Sequence, residues 1–335
     1  MNRRIKVALI GNPNTGKSSV FNLLTGLQQK TGNYPGITVE KKEGYCRLTS
    51  GASATIFDLP GTYSLNASSL DENIVIELLM NRKHADFPDV AVIVADIENI
   101  KRNLLLFTQI KDLGIPSILV VNMSDRMRRK GISLDVEMME QQLNTKIVLT
   151  STLKKKGIDT LKTQIANYIQ LENSSCLDFS DIDPDYFASL QKTFPNQSIY
   201  KLWLVITQDV NFANIDRNTI QSTDGDHTRS VSFLKRLQQR ETIKRYQFIN
   251  EVLKKCLQIN REQATDFQSR LEEDSWHSTE LLSVDTEIIS KKKCHTRISF
   301  KRLRRDGSII NTYHSLYVIT EKNKSWGILF GSGTG

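Results

Sequence analysis

The run Gly11-Asn12-Pro13-Asn14-Thr15-Gly16-Lys17-Ser18 has the residue types and spacing of a phosphate cradle. Its glycines let the backbone turn tightly, so that successive N–H groups point at phosphate oxygens. Lys17 is placed to reach the β- and γ-phosphates, and the Ser18 hydroxyl to ligate Mg²⁺. Further along, Asp58-Leu59-Pro60-Gly61 offers a carboxylate that can hold Mg²⁺ through water and a glycine N–H that can report the γ-phosphate. Asn122-Met123-Ser124-Asp125 offers a carboxylate that can accept both N1–H and the 2-amino group of guanine. Adenine has no such donor pair, so this pattern selects GTP over ATP. Thr150-Ser151-Thr152 can bring a backbone N–H near guanine O6. Alone, D-x-x-G is a common turn and N-x-x-D a common strand-end cap. Their joint order and spacing are those of a GTP-binding domain.

Each group needs a strand to carry it. The pattern predicts strands at Lys6–Ile10, Lys41–Thr49, Ala54–Asp58, Val90–Asp96, Pro116–Asn122 and Lys146–Thr150. Helices are predicted at Lys17–Gly26, Leu70–Asn81, Ile100–Leu113, Leu134–Leu143 and Ile158–Leu171. This alternation is the signature of an α/β domain with a mostly parallel sheet. Every motif falls at the C-terminal end of a strand, where open α/β sheets bind ligands. Residues 27–40 and 62–69 lack periodicity and read as two switch loops.

Gly11 through Asn22, Thr31-Gly32-Asn33-Tyr34-Pro35-Gly36-Ile37-Thr38-Val39-Glu40 and Asp58 through Leu65 resemble the P-loop and switches of the bacterial ferrous-iron transport protein B (FeoB) family. The string G-N-x-P-G-x-T-V-E separates this family from ribosome-assembly and tRNA-modifying GTPases. The resemblance covers residues 5–165, continues more loosely to Leu271, and then stops. It implies a Mg²⁺-dependent, K⁺-stimulated GTPase that gates ferrous-iron uptake. It also implies roles residue by residue. Gly11, Asn12, Pro13, Asn14, Thr15, Gly16, Lys17, Ser18 and Ser19 would wrap the phosphates. Gly36, Ile37, Thr38, Val39 and Glu40 would close over them. Ser18 and Thr38 would ligate Mg²⁺, with Asp58 behind, beside Leu59, Pro60 and Gly61. Asn122, Met123, Ser124 and Asp125 would read guanine, flanked by Ser151 and Thr152. The catalytic set would be Lys17, Thr38, Gly61 and Asn14, the last holding a K⁺ that serves as an arginine finger does elsewhere.

One residue departs from the general GTPase pattern. The position after Asp-x-x-Gly, often a water-orienting glutamine, is Thr62. Threonine is too short for that task, so slow intrinsic hydrolysis is expected. Two other readings stand beside the transporter GTPase: a GTP-sensing module with little catalysis, and an RNA- or ribosome-associated GTPase.

A chain of 335 residues with 39% apolar and 24% charged residues suits about two globular domains. Net charge is +8, which permits anionic partners, although no nucleic-acid recognition module is visible. Four scattered cysteines without C-x-x-C argue for a reduced compartment and against a zinc site. No apolar run is long enough to span a bilayer, so the chain is expected to be soluble, although the family works at the cytoplasmic face of the bacterial inner membrane.

Three domains are expected: the GTPase over 1–170, a helical regulatory domain over 171–271, and a β-rich tail over 272–335. In the family the helical part slows nucleotide release. Its apolar stripe here is Val231, Leu234, Leu237, Tyr246, Ile249, Leu253 and Leu257. The tail should carry three strands, with a hairpin at Arg305-Asp306-Gly307-Ser308, and reads as a fusion or truncation product. It bears a slight likeness to half of a cone-shaped α+β domain of the SnoaL-like type. The family implies a membrane domain, or other components of the same iron-uptake system, as partners; a homo-oligomer is the further expectation.

Overall fold

The computed structural model describes residues 4–26, 29–33, 40–49, 51–66, 70–195, 197–207, 231–260, 276–290, 293–322 and 325–334. The chain divides into two compact units, Met1–Arg128 with Ile132–Ile259, and Arg129–Gly131 with Asn260–Gly335.

The first unit is built on a seven-stranded sheet. In chain order its strands are β1 (Ile5–Gly11), β2 (Gln29–Asn33), β3 (Glu40–Arg47), β4 (Ser53–Asp58), β5 (Val90–Asp96), β6 (Ser117–Asn122) and β8 (Lys146–Leu149). They lie in the order β2-β3-β4-β1-β5-β6-β8, and all pairs from β4 to β8 are parallel. β2 and β3 extend it as an antiparallel edge. The expectation of a loop throughout 27–40 is therefore corrected at Gln29–Asn33, which pairs with Glu40–Gly44. Its polar composition hid it, because an edge strand needs no apolar face.

The central strands are buried on both faces, which explains their continuous apolar runs. On β1, Val7 and Leu9 face one core with Val20, Phe21 and Leu24 of α1 (Lys17–Thr25) and Leu161 and Ile165 of α5 (Ile158–Ala166). Ala8 and Ile10 face the other, with α2 (Leu70–Met80), α3 (Ile100–Asp112) and α4 (Val136–Leu143). That second core continues without a break into α6 (Pro184–Thr193), α7 (Ile199–Thr207) and α8 (Val231–Cys256) through Phe187, Trp203, Leu237 and Ile249. Two short strands, β7 (Ile132–Leu134) and β9 (Leu257–Ile259), pair antiparallel and join the end of α8 to the start of α4. Leu257, expected on the helical stripe, is thus in a strand; the side chains of Val231 and Leu234 lie outside the described residues.

The second unit is an antiparallel sheet of four strands in order: β10 (Trp276–Ser290), β11 (Lys293–Arg304), β12 (Ile309–Lys322) and β13 (Ser325–Thr334). The hairpin at Arg305–Ser308 forms as expected, with Gly307 at φ 81°. β10 is an additional strand. Its alternation is broken by irregular register at Trp276/Ser278, Leu281/Ser283 and Ile288/Ser290, which masks the period of two. Among the described residues no helix is long and apolar enough to cross a membrane.

Candidate functional site

The phosphate cradle lies between β1 and α1. Asn14 takes φ 66° and Gly16, the residue capping α1, takes φ 83°. Both conformations turn the chain sharply so that the following amides open toward one point. Gly11 must lack a side chain, since an added Cβ would come within 2.5 Å of the Val94 carbonyl oxygen on β5. The Thr15 hydroxyl donates to the Asn12 carbonyl at 3.0 Å and closes the turn.

β4 runs beside β1 and delivers Asp58 to the cradle. Lys17 Nζ and Asp58 Oδ1 form a hydrogen-bonded ion pair, with their side chains only 12% and 5% exposed. The chain after Asp58 is pinned to β1: Leu59 N–H donates to Leu9 O at 3.1 Å and Thr62 N–H to Gly11 O at 3.3 Å. Gly61 therefore lies against Pro13, whose Cγ would be 3.2 Å from an added Cβ.

Thr62 itself turns away from the cradle. It is fully buried, and its hydroxyl contacts the Ser64 carbonyl at 2.9 Å and Glu72 Oε1 at 3.1 Å. Thr62 is thus unsuited to orient an attacking water both by length and by direction.

At the base end, β6 ends in Asn122, which is fully buried. Its Nδ2 donates to the Thr15 carbonyl at 3.0 Å. Its Oδ1 accepts from the Thr150 hydroxyl at 3.1 Å and the Thr152 N–H at 3.3 Å. One side chain thus ties the cradle to the Thr150–Thr152 loop, a role the sequence did not reveal. An added Cβ on Gly16 would come within 2.3 Å of Asn122 Nδ2, so the amide also fills the space beneath that glycine. Met123 follows at φ 60° and swings the chain so that Asp125 comes beside Ser151, whose hydroxyl donates to Asp125 Oδ1 at 2.5 Å.

Gly11 through Ser19, Asp58 through Gly61, Asn122 through Asp125, and Ser151 and Thr152 therefore converge at one end of the sheet. Pro13, Asn14, Ser18 and Ser19 are exposed there, and Asn12 is buried with both polar side-chain atoms unpartnered among the described residues. Gly36, Ile37, Thr38 and Val39 lie outside the described residues. Glu40 opens β3. The Ser18 hydroxyl and Asp58 carboxylate are hard oxygen donors of the kind Mg²⁺ prefers.

Residues 5–165 match the family model described as ferrous iron transport protein B. The Fe(2+) transporter FeoB of Leptospira biflexa is 42% identical over 160 residues, which make up 48% of this chain and 23% of that protein. The Fe(2+) transporter FeoB of Escherichia coli K12 is 35% identical over 198 residues, 58% of this chain and 25% of that protein. The match thus spans about a quarter of the length of these curated relatives. The cytosolic domain of the T. maritima FeoB iron transporter in a GDP form superposes with TM-score 0.66 and 25% identity, covering 76% of this chain and all (100%) of that one. Its GMPPNP form gives 0.65 and 25%, covering 76% and 99%. The cytosolic domain of L. pneumophila FeoB gives 0.60 and 28%, covering 75% and 99%.

Proposed function

We propose that this chain, whose residues 5–165 belong to the ferrous iron transport protein B (FeoB) family, binds Mg²⁺·GTP and hydrolyses it slowly as the nucleotide-driven part of a ferrous-iron transporter. The observation that carries the reading is the pairing of a part-buried Lys17–Asp58 ion pair at the cradle with an Asn122 bridge to the base loop. Phosphate and base sites are thereby mechanically joined.

In this reading the amides of Asn14 through Ser18 and the Lys17 ammonium hold the β- and γ-phosphates. Lys17 exchanges its Asp58 partner for phosphate oxygens, a substitution of one anion for another. Ser18 and Thr38 would hold Mg²⁺, with Asp58 behind them acting through water, and the ion would supply neutralisation of phosphate charge. Gly61 N–H reports the γ-phosphate, while Gly36 through Glu40 close the site. Asp125 accepts the two guanine donors, and Ser151 orients that carboxylate. Asn14, exposed at φ 66°, presents an amide suited to K⁺. With Thr62 directed into the protein, water is positioned by backbone groups, which supports slow turnover. Iron is the cargo of the whole transporter; partners are its membrane domain or other components of the same system.

The test is GTP hydrolysis by the purified chain with Mg²⁺ in K⁺ and then in Na⁺, alongside Asn14→Ala. Stimulation by K⁺ that disappears in the variant supports the full reading. GTP binding with hydrolysis indifferent to both changes removes the K⁺ role and favours a GTP-sensing module. Failure of GTP to out-compete ATP overturns the reading.

A further inference from the structure

The sheet of the second unit has two unlike faces. Residues directly opposite on neighbouring strands share a face, so the register sorts them. One face carries the pairs Glu280–Lys301 and Asp285–Arg297, whose charged atoms lie 2.9 and 3.7 Å apart. It also places the Ser299 hydroxyl 2.9 Å from His314 Nδ1. This is a face made for water. The other face sets Leu281 and Tyr313 on either side of Phe300, with the two rings stacked at 5.2 Å. Val284 lies opposite Ile298, and Ile288 opposite Cys294. Between those pairs the hydroxyls of Thr286 and Thr296 meet across the strands at 3.1 Å. None of the pairs from Leu281 to Ile288 on this face carries a charge. The guanidinium of Arg302 lies at one end, 4.8 Å above the Tyr313 ring. The apolar face is open: Leu281, Val284 and Ile288 are 60%, 54% and 80% exposed. Among the described side chains of the sheet only Thr296 is buried. A sheet with one apolar face needs a second layer against it.

We propose that the second layer is another copy of this chain: two β10–β13 sheets stack apolar face on apolar face about a two-fold axis, so that the protein dimerises through its tail. The sheet lies outside residues 5–165, which match the family model, and the inference does not depend on nucleotide. Area favours this occupant. Four strands spaced about 4.8 Å apart, paired over about 36 Å, present a flat face of about 700 Å². A stable interface takes about 800 Å² of accessible surface from each partner, and side chains standing on the sheet raise the accessible area above the flat figure. Charge favours it too. A two-fold contact sets a patch against itself, which a charge-free centre permits. Pairing instead along the β10 edge would bring Glu280, Asp285 and Glu287 toward the same acidic strand of the other copy. The first unit offers no counterpart among its described residues. Its exposed large apolar side chains, Tyr63, Leu153, Ile169, Ile243 and Ile259, fall on five separate segments and form no row.

The test is sedimentation velocity of the full-length, nucleotide-free chain from about 0.5 to 50 μM, a range that captures the weak end of interfaces of this size. The parent should sediment at twice the mass of one chain within that range. Val284→Asp places an unpaired carboxylate in the apolar contact and should raise the dissociation constant at least about a hundredfold. Ile288→Ser removes apolar area without adding charge and should raise it about tenfold. Both positions are exposed in the single chain, so the far-ultraviolet circular dichroism of each variant should match the parent. Glu287→Lys alters charge on the same strand but on the opposite face, and should change the constant by less than about threefold. A parent that stays monomeric throughout the range would overturn the inference. So would a dimer that survives Val284→Asp and Ile288→Ser, since its interface would lie elsewhere, or one that Glu287→Lys weakens as much as Val284→Asp does. A monomeric parent that floats with phosphatidylcholine–phosphatidylglycerol vesicles, and loses them in Val284→Asp, would make lipid the occupant and overturn it as well. GTP binding, measured separately, stands or falls independently of all these results.

Discussion

Replacing Asn122 by alanine should destabilise the protein even without nucleotide. The sequence reads Asn122 as a base-recognition residue, and a residue with only that role would be silent in nucleotide-free protein. The structure gives its side chain three protein partners: the Thr15 carbonyl at 3.0 Å, the Thr150 hydroxyl at 3.1 Å and the Thr152 N–H at 3.3 Å. A typical buried hydrogen bond contributes about 1 kcal/mol net, and a stranded partner costs more than that. The longest of the three counts for less, so about 2–3 kcal/mol is expected. For a unit of this size each kcal/mol moves the midpoint by about 2–4 °C, which gives a drop of about 5–10 °C in Tm.

The assay is calorimetry of the nucleotide-free chain, following the transition of the larger unit, with GDP affinity measured in parallel. Gly16→Ala supplies a second check. Its new Cβ would lie 2.3 Å from Asn122 Nδ2, at a backbone φ of 83°. Adding Asn122→Ala removes the collision but not the backbone strain, so the double variant should be less damaged than the sum of the singles. A Tm within about 1 °C of the parent for Asn122→Ala, far below the shift of a lost buried bond, would refute the reasoning. Weakened GDP binding alongside that unchanged Tm would mean that Asn122 acts on the base alone.

Thr62→Gln should not accelerate single-turnover GTP hydrolysis, because position 62 points toward Glu72 and the Ser64 carbonyl rather than the phosphates; overpacking there should lower Tm, by about 1–3 kcal/mol in stability. A faster rate would show that the loop can turn its side chain into the site. Asp125→Asn should exchange guanine for xanthine preference in competition binding, since an amide can donate to the C2 carbonyl that replaces the 2-amino group; unchanged guanine preference would remove Asp125 from the base site. Burial pushes the Cys176 thiol up to about 12, with the Asp112 carboxylate adding to the rise. Above the ordinary thiol value, 9.0, the unfolded chain loses this proton while the folded chain keeps it, so stability falls as pH rises between 9.0 and about 12. Urea midpoints at two pH values in that window should show a steeper loss for the parent than for Cys176→Ala, by up to about 1.4 kcal/mol per pH unit.

What the sequence disclosed and what it hid follow from the range of the forces involved. The strands at Ile5, Ser53, Val90, Ser117 and Lys146 are each buried on both faces, so their apolar runs announce them without tertiary context. The nucleotide motifs follow because each is a turn chemistry tied to the end of such a strand. The β7–β9 pair could not be read, since its three-residue strands stand more than a hundred residues apart and carry no period of their own. The stripe along α8 was legible at Leu237, Tyr246 and Ile249, but it left out Glu241 and Arg245, which occupy the i, i+4 steps between Leu237 and Ile249. These two residues are 3% and 0% exposed, and they belong to the interior because Asp112, more than a hundred residues earlier, completes their charge balance. A helix read alone makes Glu241 and Arg245 look like solvent-facing polar residues. Only the partner on α3 turns them into core, and removing that partner would leave a buried cation short of its counter-charge, at a cost of about 3–5 kcal/mol. The same dependence explains why Gln109 escaped notice, for it has no motif and accepts from the Leu65 N–H, at 2.8 Å, only because packing brings the two together. Its meaning lies in which loop a buried amide holds, and that is decided by packing rather than by spacing along the chain.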